Sequence, residues 1–503
     1  MSTTQRTTWL VIHDPKNVVP PELAPERASH IHLLAIGGVA MSGLAALLRA
    51  QGYRVTGSDD VLYPPISTLL ERLEIPVRQG FSPTNLEPAP DLVVIGNKIT
   101  RNNPEGEAVR ERGLPYVSLP QALYELFLRN RFPVVVAGTH GKTTTTAMLA
   151  WIFTHAGQEP SFLVGGQIRE WNCNARLGNG PHFILEGDEY DSAFFDKRPK
   201  FFHYHPQALV LNAVEFDHAD IYRDLDHVKE AFRLLIESLP QEVPIAVCRD
   251  FPHAWELARS RAGTVDFGFS PDATWRVTDL RDDGRLWFTL RFKGRPIATA
   301  SLPVMGAMNA RNALGAILMA EQLGVPVPVA VQALETFPGV ARRQEVIGEF
   351  GRVVVIDDFA HHPTAVAATL DAVRQRYPKR RLWALFEPRS NTSRRKVFQE
   401  EYVRALARAE RVIVGGVLRK ASDAVPEEQL FSPTQLVADL ERAGVAARHF
   451  DDPDVIAVAV QRNVRAGDVI VILSNGDFGG LREKLLAALA ERHRHDAQRA
   501  TMR

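Results

Sequence analysis

The sequence predicts an α/β protein of three domains: a Rossmann-like N-terminal domain, a central P-loop ATPase domain with a β-hairpin region, and a C-terminal Rossmann-like α/β domain. Three observations carry this reading. The run Phe132-Pro133-Val134-Val135-Val136-Ala137 has the pattern of a buried strand; it breaks at Gly138-Thr139-His140-Gly141-Lys142-Thr143-Thr144 and reopens with helical apolar spacing. Short apolar runs ending in polar residues alternate with helical patterns on both sides of it, as in βαβ units with parallel sheets. At 503 residues, the chain is long enough for about three domains, each with its own core.

Bulk composition narrows the function classes. Apolar residues make up 45% and charged residues 23%, as in an ordinary globular protein. Lys+Arg and Asp+Glu balance at 59 each, so no global field points to nucleic acid or an anionic membrane. The two cysteines, Cys173 and Cys248, argue against a disulfide scaffold and fit a reducing compartment. No apolar run approaches the roughly 18 residues of a membrane span, and the first thirty residues lack the apolar core of a signal peptide. A cytoplasmic location is expected.

Taken in order, residues 1–28 read as an N-terminal extension with one strand-like patch at 9–12. The first domain, 29–131, opens with a strand over 31–36, then Gly37-Gly38-Val39-Ala40-Met41-Ser42-Gly43 and a helix through Leu44, Leu47 and Leu48. A second strand over 53–57 runs into Ser58-Asp59-Asp60, about 20 residues beyond the glycines, the layout of a dinucleotide-type half fold with its acid near a ribose. The glycines do not follow G-x-G-x-x-G, so another diphosphate, or tight packing alone, fits as well as NAD. A strand over 92–95 delivers Gly96-Asn97-Lys98, 116–118 is a further short strand, and a helix over 120–128 leads out.

The second domain, 132–337, opens on the glycine loop, a shortened P-loop of the form G-x-x-G-K-T. Gly138 and Gly141 let backbone N–H groups turn toward phosphate oxygens, with the helix N-terminus behind them. Lys142 can then reach the β- and γ-phosphates, and the Thr143 hydroxyl can sit on Mg²⁺. Downstream, an apolar strand delivers Glu186-Gly187-Asp188-Glu189-Tyr190-Asp191, where hard Mg²⁺ would find oxygen ligands, so Glu186 is a candidate ligand. Another strand, over 208–212, runs into Glu215-Phe216-Asp217-His218, which makes His218 a candidate second ligand at the same sheet edge. Residues 224–268 alternate helix and strand, and 273–303 read as hairpins turning at Asp282-Asp283-Gly284 and Lys293-Gly294-Arg295. Met308-Asn309-Ala310-Arg311-Asn312 then starts a helix over 313–323; asparagines at a helix start are usually caps.

Pro338-Gly339 marks the boundary to the third domain, 338–503. Its strands end in Asp357-Asp358-Phe359-Ala360-His361-His362, in Glu387-Pro388-Arg389-Ser390-Asn391-Thr392, and in Ser474-Asn475-Gly476-Asp477. Polar residues at the carboxyl ends of parallel strands are where open α/β sheets bind ligands.

From about His30 onward these motifs resemble the Mur ligase family, whose members use ATP to join an amino acid or peptide to a UDP-linked muramic acid acceptor. Gly138-Thr139-His140-Gly141-Lys142-Thr143-Thr144 matches the family's ATP loop, and His30-Ile31-His32 with Gly37, Gly38, Met41 and Ser42 resembles its UDP-binding start. Four runs (186–198, 215–220 and the strand ends at 387–392 and 474–480) are similar to the murein peptide ligase branch, which attaches the recycled tripeptide L-alanyl-γ-D-glutamyl-meso-diaminopimelate to UDP-N-acetylmuramate. The resemblance implies an acyl phosphate route with ATP and Mg²⁺ and no protein nucleophile, so that catalysis rests on positioning and charge neutralisation. It implies Lys142, Glu186 and His218 as catalytic, with Thr143, Glu186 and His218 on metal. Asn309 and Asn312 would contact adenine, Arg343 phosphate and Asp358 ribose. On the substrate side it points to Gly37, Gly38, Met41, Ser42, Asp59, Asn97 and His361, with Arg389, Ser474 and Asn475 reading the tripeptide. Partners would be small-molecule substrates, without nucleic acid or membrane, for a monomer or weak homodimer. The chain departs from the family at Met308, where His is usual, and at Asn212-Ala213, where two asparagines are common; no lysine stands clearly where some branches carry a carbamylated metal bridge.

Other readings stay open at this point. A ligase adding free L-alanine to the same acceptor would share the first two domains. A nucleotide-gated binding protein would use the P-loop without ligation, and an NAD-dependent oxidoreductase would need the first glycine loop as its dinucleotide site.

Overall fold

The structure, a computed structural model, describes residues 17–417 and 426–501. The strand-like patch at 9–12 lies outside them. Three large sheets follow one another along the chain. The first consists of β1 (His30–Leu34), β2 (Arg54–Asp59), β3 (Val77–Gln79), β4 (Leu92–Ile95) and β5 (Tyr116–Ser118), in the order β3-β2-β1-β4-β5 and parallel throughout. Ile31, Leu33 and Leu34 are fully buried because helices cover both faces of such a sheet. The glycine pair leads into the helix Val39–Gln51, whose N-cap is Gly38.

The second sheet is built from β6 (Phe132–Ala137), β7 (Ser161–Ile168), β8 (Cys173–Arg176), β9 (His182–Gly187), and, after a separate two-stranded hairpin of β10 (Asp191–Ala193) and β11 (Asp196–Pro199), from β12 (Ala208–Leu211), β13 (Ile245–Cys248), β14 (Thr264–Gly268), β15 (Trp275–Asp282), β16 (Leu286–Phe292) and β17 (Arg295–Leu302). Its order is β17-β16-β15-β14-β13-β12-β6-β9-β7-β8. The middle is parallel and the β15–β17 edge antiparallel, as hairpin connections require. The P-loop helix Lys142–His155 and the helix Ala307–Gln322 pack on this sheet around Trp151, Phe153 and Phe267.

The third sheet has β18 (Glu345–Phe350), β19 (Val353–Asp358), β20 (Leu382–Phe386), β21 (Arg411–Val414), β22 (Ala446–His449) and β23 (Val469–Leu473), in the order β18-β19-β23-β20-β21-β22 with only β18 antiparallel. No described helix is long and apolar enough to cross a membrane.

Two local expectations need correction. The helix expected over 313–323 begins at Ala307, with Gly306 as its N-cap at φ +93°, so Asn309 and Asn312 are buried inside its first turns and are not caps. The helix expected over 120–128 is α-helical only over Leu119–Leu123 and continues as a π-helical turn over Tyr124–Leu128. Strands β7 and β8 carry no sequence expectation, because Gly165-Gly166 interrupts the β-pattern of the longer one.

Candidate active site

Strands β12, β6 and β9 are neighbours and parallel, so their carboxyl ends open at one edge. That edge gathers the glycine loop after β6, the acids after β9 and the 212–220 segment after β12. The third sheet does the same with β19, β23 and β20, which end in Asp358, Ser474 and Glu387. Between them lies a cavity of about 410 Å³, walled by the P-loop, Val39 and Ala40 of the first domain, and Arg343, Asp358 and His361 of the third.

The loop requires its glycines. Gly138 has φ +125°, and a Cβ there would stand 2.7 Å from the backbone oxygen of Ala213; Gly141 has φ +81° and faces Asn312 Oδ1 at the same distance. Thr139 N donates to Ala213 O, and its hydroxyl accepts from Glu215 N, so both groups brace the loop. Lys142 Nζ donates to Gly138 O and to Glu189 Oε2, each at 2.7 Å. Burial pulls the Lys142 ammonium down, but Glu189 and Asp188 outweigh it and hold the lysine above its usual range.

The acids divide into two groups. Glu186 lies deep beside Thr143 and accepts a hydrogen bond from Gly165 N; burial pushes its carboxyl up against the pull of that N–H, Lys142 and Arg343. A Cβ at Gly165 would come 2.6 Å from Glu186 Oε1, so any larger residue there would push this carboxylate aside. His218 is not at Glu186 but at Glu189, with Nε2 3.2 Å from Oε1, and it holds φ +53°, an uncommon backbone state for a non-glycine residue. Burial lowers His218, but Asp217, Glu189 and Asp188 more than reverse this and push it up to about 9. Asp188, Glu189 and His218 bring their ligand atoms within 4.8 Å of one another.

These residues fit a phosphate-bound divalent cation. The donor set is rich in oxygen, as a hard cation requires, and the glycine cradle above it leaves no room for side chains. Thr143 and Glu186 would hold one ion; Asp188 and Glu189 join His218 as candidates for another. Sequence reasoning had not singled out Asp188 or Glu189, although both stand in the acidic run after β9.

In the helix Ala307–Gln322, Asn309 Nδ2 donates to Met305 O and Gln344 Oε1, and Asn312 Nδ2 to Asn309 Oδ1. Phe251 with Arg311 stacked at 4.5 Å also walls the cavity, two residues the sequence had not flagged. Met308 sulfur accepts from Gln344 Nε2 at 3.7 Å. From the third domain, Arg343 Nη2 donates to the Thr143 hydroxyl at 3.0 Å, and Asp358 accepts from Gln344 N and Ala360 N; burial pushes Asp358 up to about 6. His140 pairs with Glu215 at 2.8 Å and lies 4.5 Å from the His362 ring, tilted by 43°, while Thr144 and His361 line the cavity.

The first-domain candidates fall unevenly. Gly37 N donates to Asp59 Oδ2 and Lys98 Nζ to Asp59 Oδ1, so this buried acid ties the glycine loop down. Gly38 caps the following helix. Met41 is core and the buried Ser42 hydroxyl donates to Val39 O, so neither side chain is brought to the cavity. Asn97 is exposed in the turn after β4. In the third domain, Arg389 sits 3.6 Å from Glu387, whose carboxylate accepts from Ser474 Oγ, and Asn475 Oδ1 is buried without a hydrogen-bond partner. Arg389, Ser474 and Asn475 thus share one edge, next to the cavity walls and not among them.

Comparison with known proteins agrees with this organisation. Three family profiles match in succession: Mur ligase family, catalytic domain, over residues 30–131; Mur ligase middle domain over 136–320; and Mur ligase, glutamate ligase domain, over 342–476. The chain is 40% identical, over 92% of its length and 98% of the relative's, to the UDP-N-acetylmuramate–L-alanyl-γ-D-glutamyl-meso-2,6-diaminoheptandioate ligase of Escherichia coli K12. It is 34% identical, with the same coverage, to the UDP-N-acetylmuramate–L-alanine ligase of Burkholderia cenocepacia. Among solved structures, it resembles a murein peptide ligase of Psychrobacter arcticus at 36% identity and a TM-score of 0.71, covering 92% of this chain and 99% of that one.

Proposed function

The chain belongs to the Mur ligase family, and from that premise we propose that it is an ATP-dependent ligase joining L-alanyl-γ-D-glutamyl-meso-diaminopimelate to UDP-N-acetylmuramate, in peptidoglycan recycling. The observation that carries this reading is the end-to-end similarity to a tripeptide ligase, 40% against 34% for an L-alanine ligase. The alternative with free L-alanine is weaker on that comparison. A nucleotide-gated binding protein would have no use for a third sheet edge carrying Arg389 and Ser474 beside the cavity.

ATP provides the leaving group that a carboxylate lacks, through an acyl phosphate: the peptide's amine attacks its carbonyl carbon, the C–N bond forms and inorganic phosphate departs. Mg²⁺, held by Thr143 and Glu186 and by His218 with Asp188 or Glu189, would neutralise the transferring phosphoryl group. The chain itself contributes position and charge. The glycine loop presents N–H groups and Lys142 to the phosphates, and Arg343 reaches the same place from the third domain. Asn309 and Asn312 set the base, and Asp358 the ribose. Arg389, Ser474 and Asn475 meet the peptide. Reliance on ATP places the reaction in the cytoplasm.

The test is ADP release with UDP-N-acetylmuramate, ATP and Mg²⁺, in parallel with L-alanine or the tripeptide. Turnover is expected with the tripeptide. Turnover with L-alanine alone would overturn the assignment.

A further inference from the structure

Four Lys or Arg cations wall the cavity among the described residues: Lys142, Lys200, Arg311 and Arg343. Three have evident work at the nucleotide. Lys142 and Arg343 stand at the P-loop, and Arg311 stacks on Phe251 and faces Asp250 at 3.5 Å. Lys200 has none. It is the first residue of the turn Lys200–His203, directly after the β10–β11 hairpin, with its side chain only 12% exposed.

That hairpin leans on the acceptor domain. Phe195 packs edge-on against Tyr116 at 5.0 Å, Arg110 lies 5.6 Å over Phe194, and His205 beyond the turn meets Tyr124 at 4.5 Å. Asp196 stiffens it by accepting from Arg198 and pairing with His203. The ammonium is thereby held in the cavity from the acceptor's side.

Among the described residues its one ion-pair partner is Asp188, at 2.5 Å. Asp188 is also attracted to Lys142 and His218, so it stays balanced if Lys200 turns to another anion. A buried ammonium is costly without a carboxylate, and an exchange of one carboxylate for another conserves the pair. The acceptor of the proposed reaction brings such a group, the lactyl carboxylate that must be activated. We infer that Lys200 is a substrate-binding residue that takes the carboxylate of the UDP-linked acceptor sugar and presents it to the nucleotide. This rests on the function proposed above.

The experiment compares two ligands on the full-length wild type, K200Q and K200R by calorimetry. UDP-N-acetylmuramate carries the carboxylate; UDP-N-acetylglucosamine has the same nucleotide and sugar without it. K200Q should weaken the first by about ten-fold or more, the loss expected for a charge-assisted hydrogen bond, and leave the second unchanged. K200R should recover part of the difference, and ADP affinity should stay as in the wild type. Equal weakening of both ligands, no weakening of either, or an effect confined to the tripeptide KM would overturn the inference. Wild type that binds neither UDP-sugar would instead defeat the proposed function.

Discussion

At the scale of single residues, charge decides what the site can do. Lys142 touches Glu189 and stands where the loop would present phosphate, so it serves both the cation balance of the acids and the nucleotide. K142A should reduce acceptor-dependent ADP release by about a hundred-fold or more, the cost of removing a preorganised charge from a transition state. Retained turnover in that variant would remove Lys142 from the mechanism. Asp358 makes a second prediction, because burial pushes it up to about 6. A protonated carboxyl accepts ribose hydroxyls poorly, so ADP affinity should fall as pH drops through 6. The sign for stability is opposite. Between the ordinary value of 3.8 and 6 the folded chain holds a proton that the unfolded chain releases, so this group's contribution is greatest below 3.8 and lost by pH 7. Calorimetry of ADP binding from pH 5 to 8 checks the first part, with D358N as the control. The acid limb should be present in wild type and flat, at lower affinity, in the variant. An identical limb in both would assign it to the nucleotide's own phosphate.

At the scale of elements, the loop between β6 and its helix shows why part of the site is legible and part is not. Glycines at fixed spacing after a β-branched run report a backbone requirement, and Gly138 and Gly141 indeed hold left-handed φ values. G138A should therefore cost ADP at least about ten-fold in affinity, since its Cβ meets backbone at Ala213 and no side chain can move aside. Nucleotide titration of the folded variant measures this, and unchanged affinity would mean the loop tolerates another conformation. Glu186 was also legible, as an acid at the end of an apolar strand. Its neighbour Gly165 was not, because that glycine answers to a carboxylate from another strand and looks locally like a broken β-pattern. The pairing of His218 with Glu189 was hidden for the same reason: two loops nearly thirty residues apart meet only because β12 and β9 flank β6. Met41 is core and the Ser42 hydroxyl is satisfied inside its own helix, which places both side chains away from the cavity.

At the scale of the whole molecule, the α/β alternation announced three sheets, but nothing local specified how the third would meet the second. Beside the Phe216–Phe398 ring contact, with centroids 6.0 Å apart, the junction is laced with hydrogen bonds. Thr392 Oγ1 donates to Asp217 Oδ1 at 2.7 Å and accepts from Ala219 N, Asn391 Nδ2 donates to Asp220 Oδ2 at 2.7 Å, and His362 Nε2 reaches Phe216 O at 3.1 Å. These bonds fasten the 389–395 segment and His362 to the loop that carries His218. T392V keeps the shape and removes the hydroxyl, leaving Ala219 N without this acceptor and Asp217 with one donor fewer, a cost on the order of 1–3 kcal/mol. Because only the docked arrangement makes those bonds, the loss should act on docking. The tripeptide kcat/KM should fall roughly ten-fold or more while affinity for UDP-N-acetylmuramate, proposed above to rest on the first domain and Lys200 and not on the third domain, stays unchanged. Small-angle scattering with both UDP-N-acetylmuramate and a non-hydrolysable ATP analogue should show a larger radius of gyration than the wild type under the same conditions. If acceptor affinity fell in step with turnover at an unchanged radius, Thr392 would be acting on the acceptor site and not on the junction between the sheets.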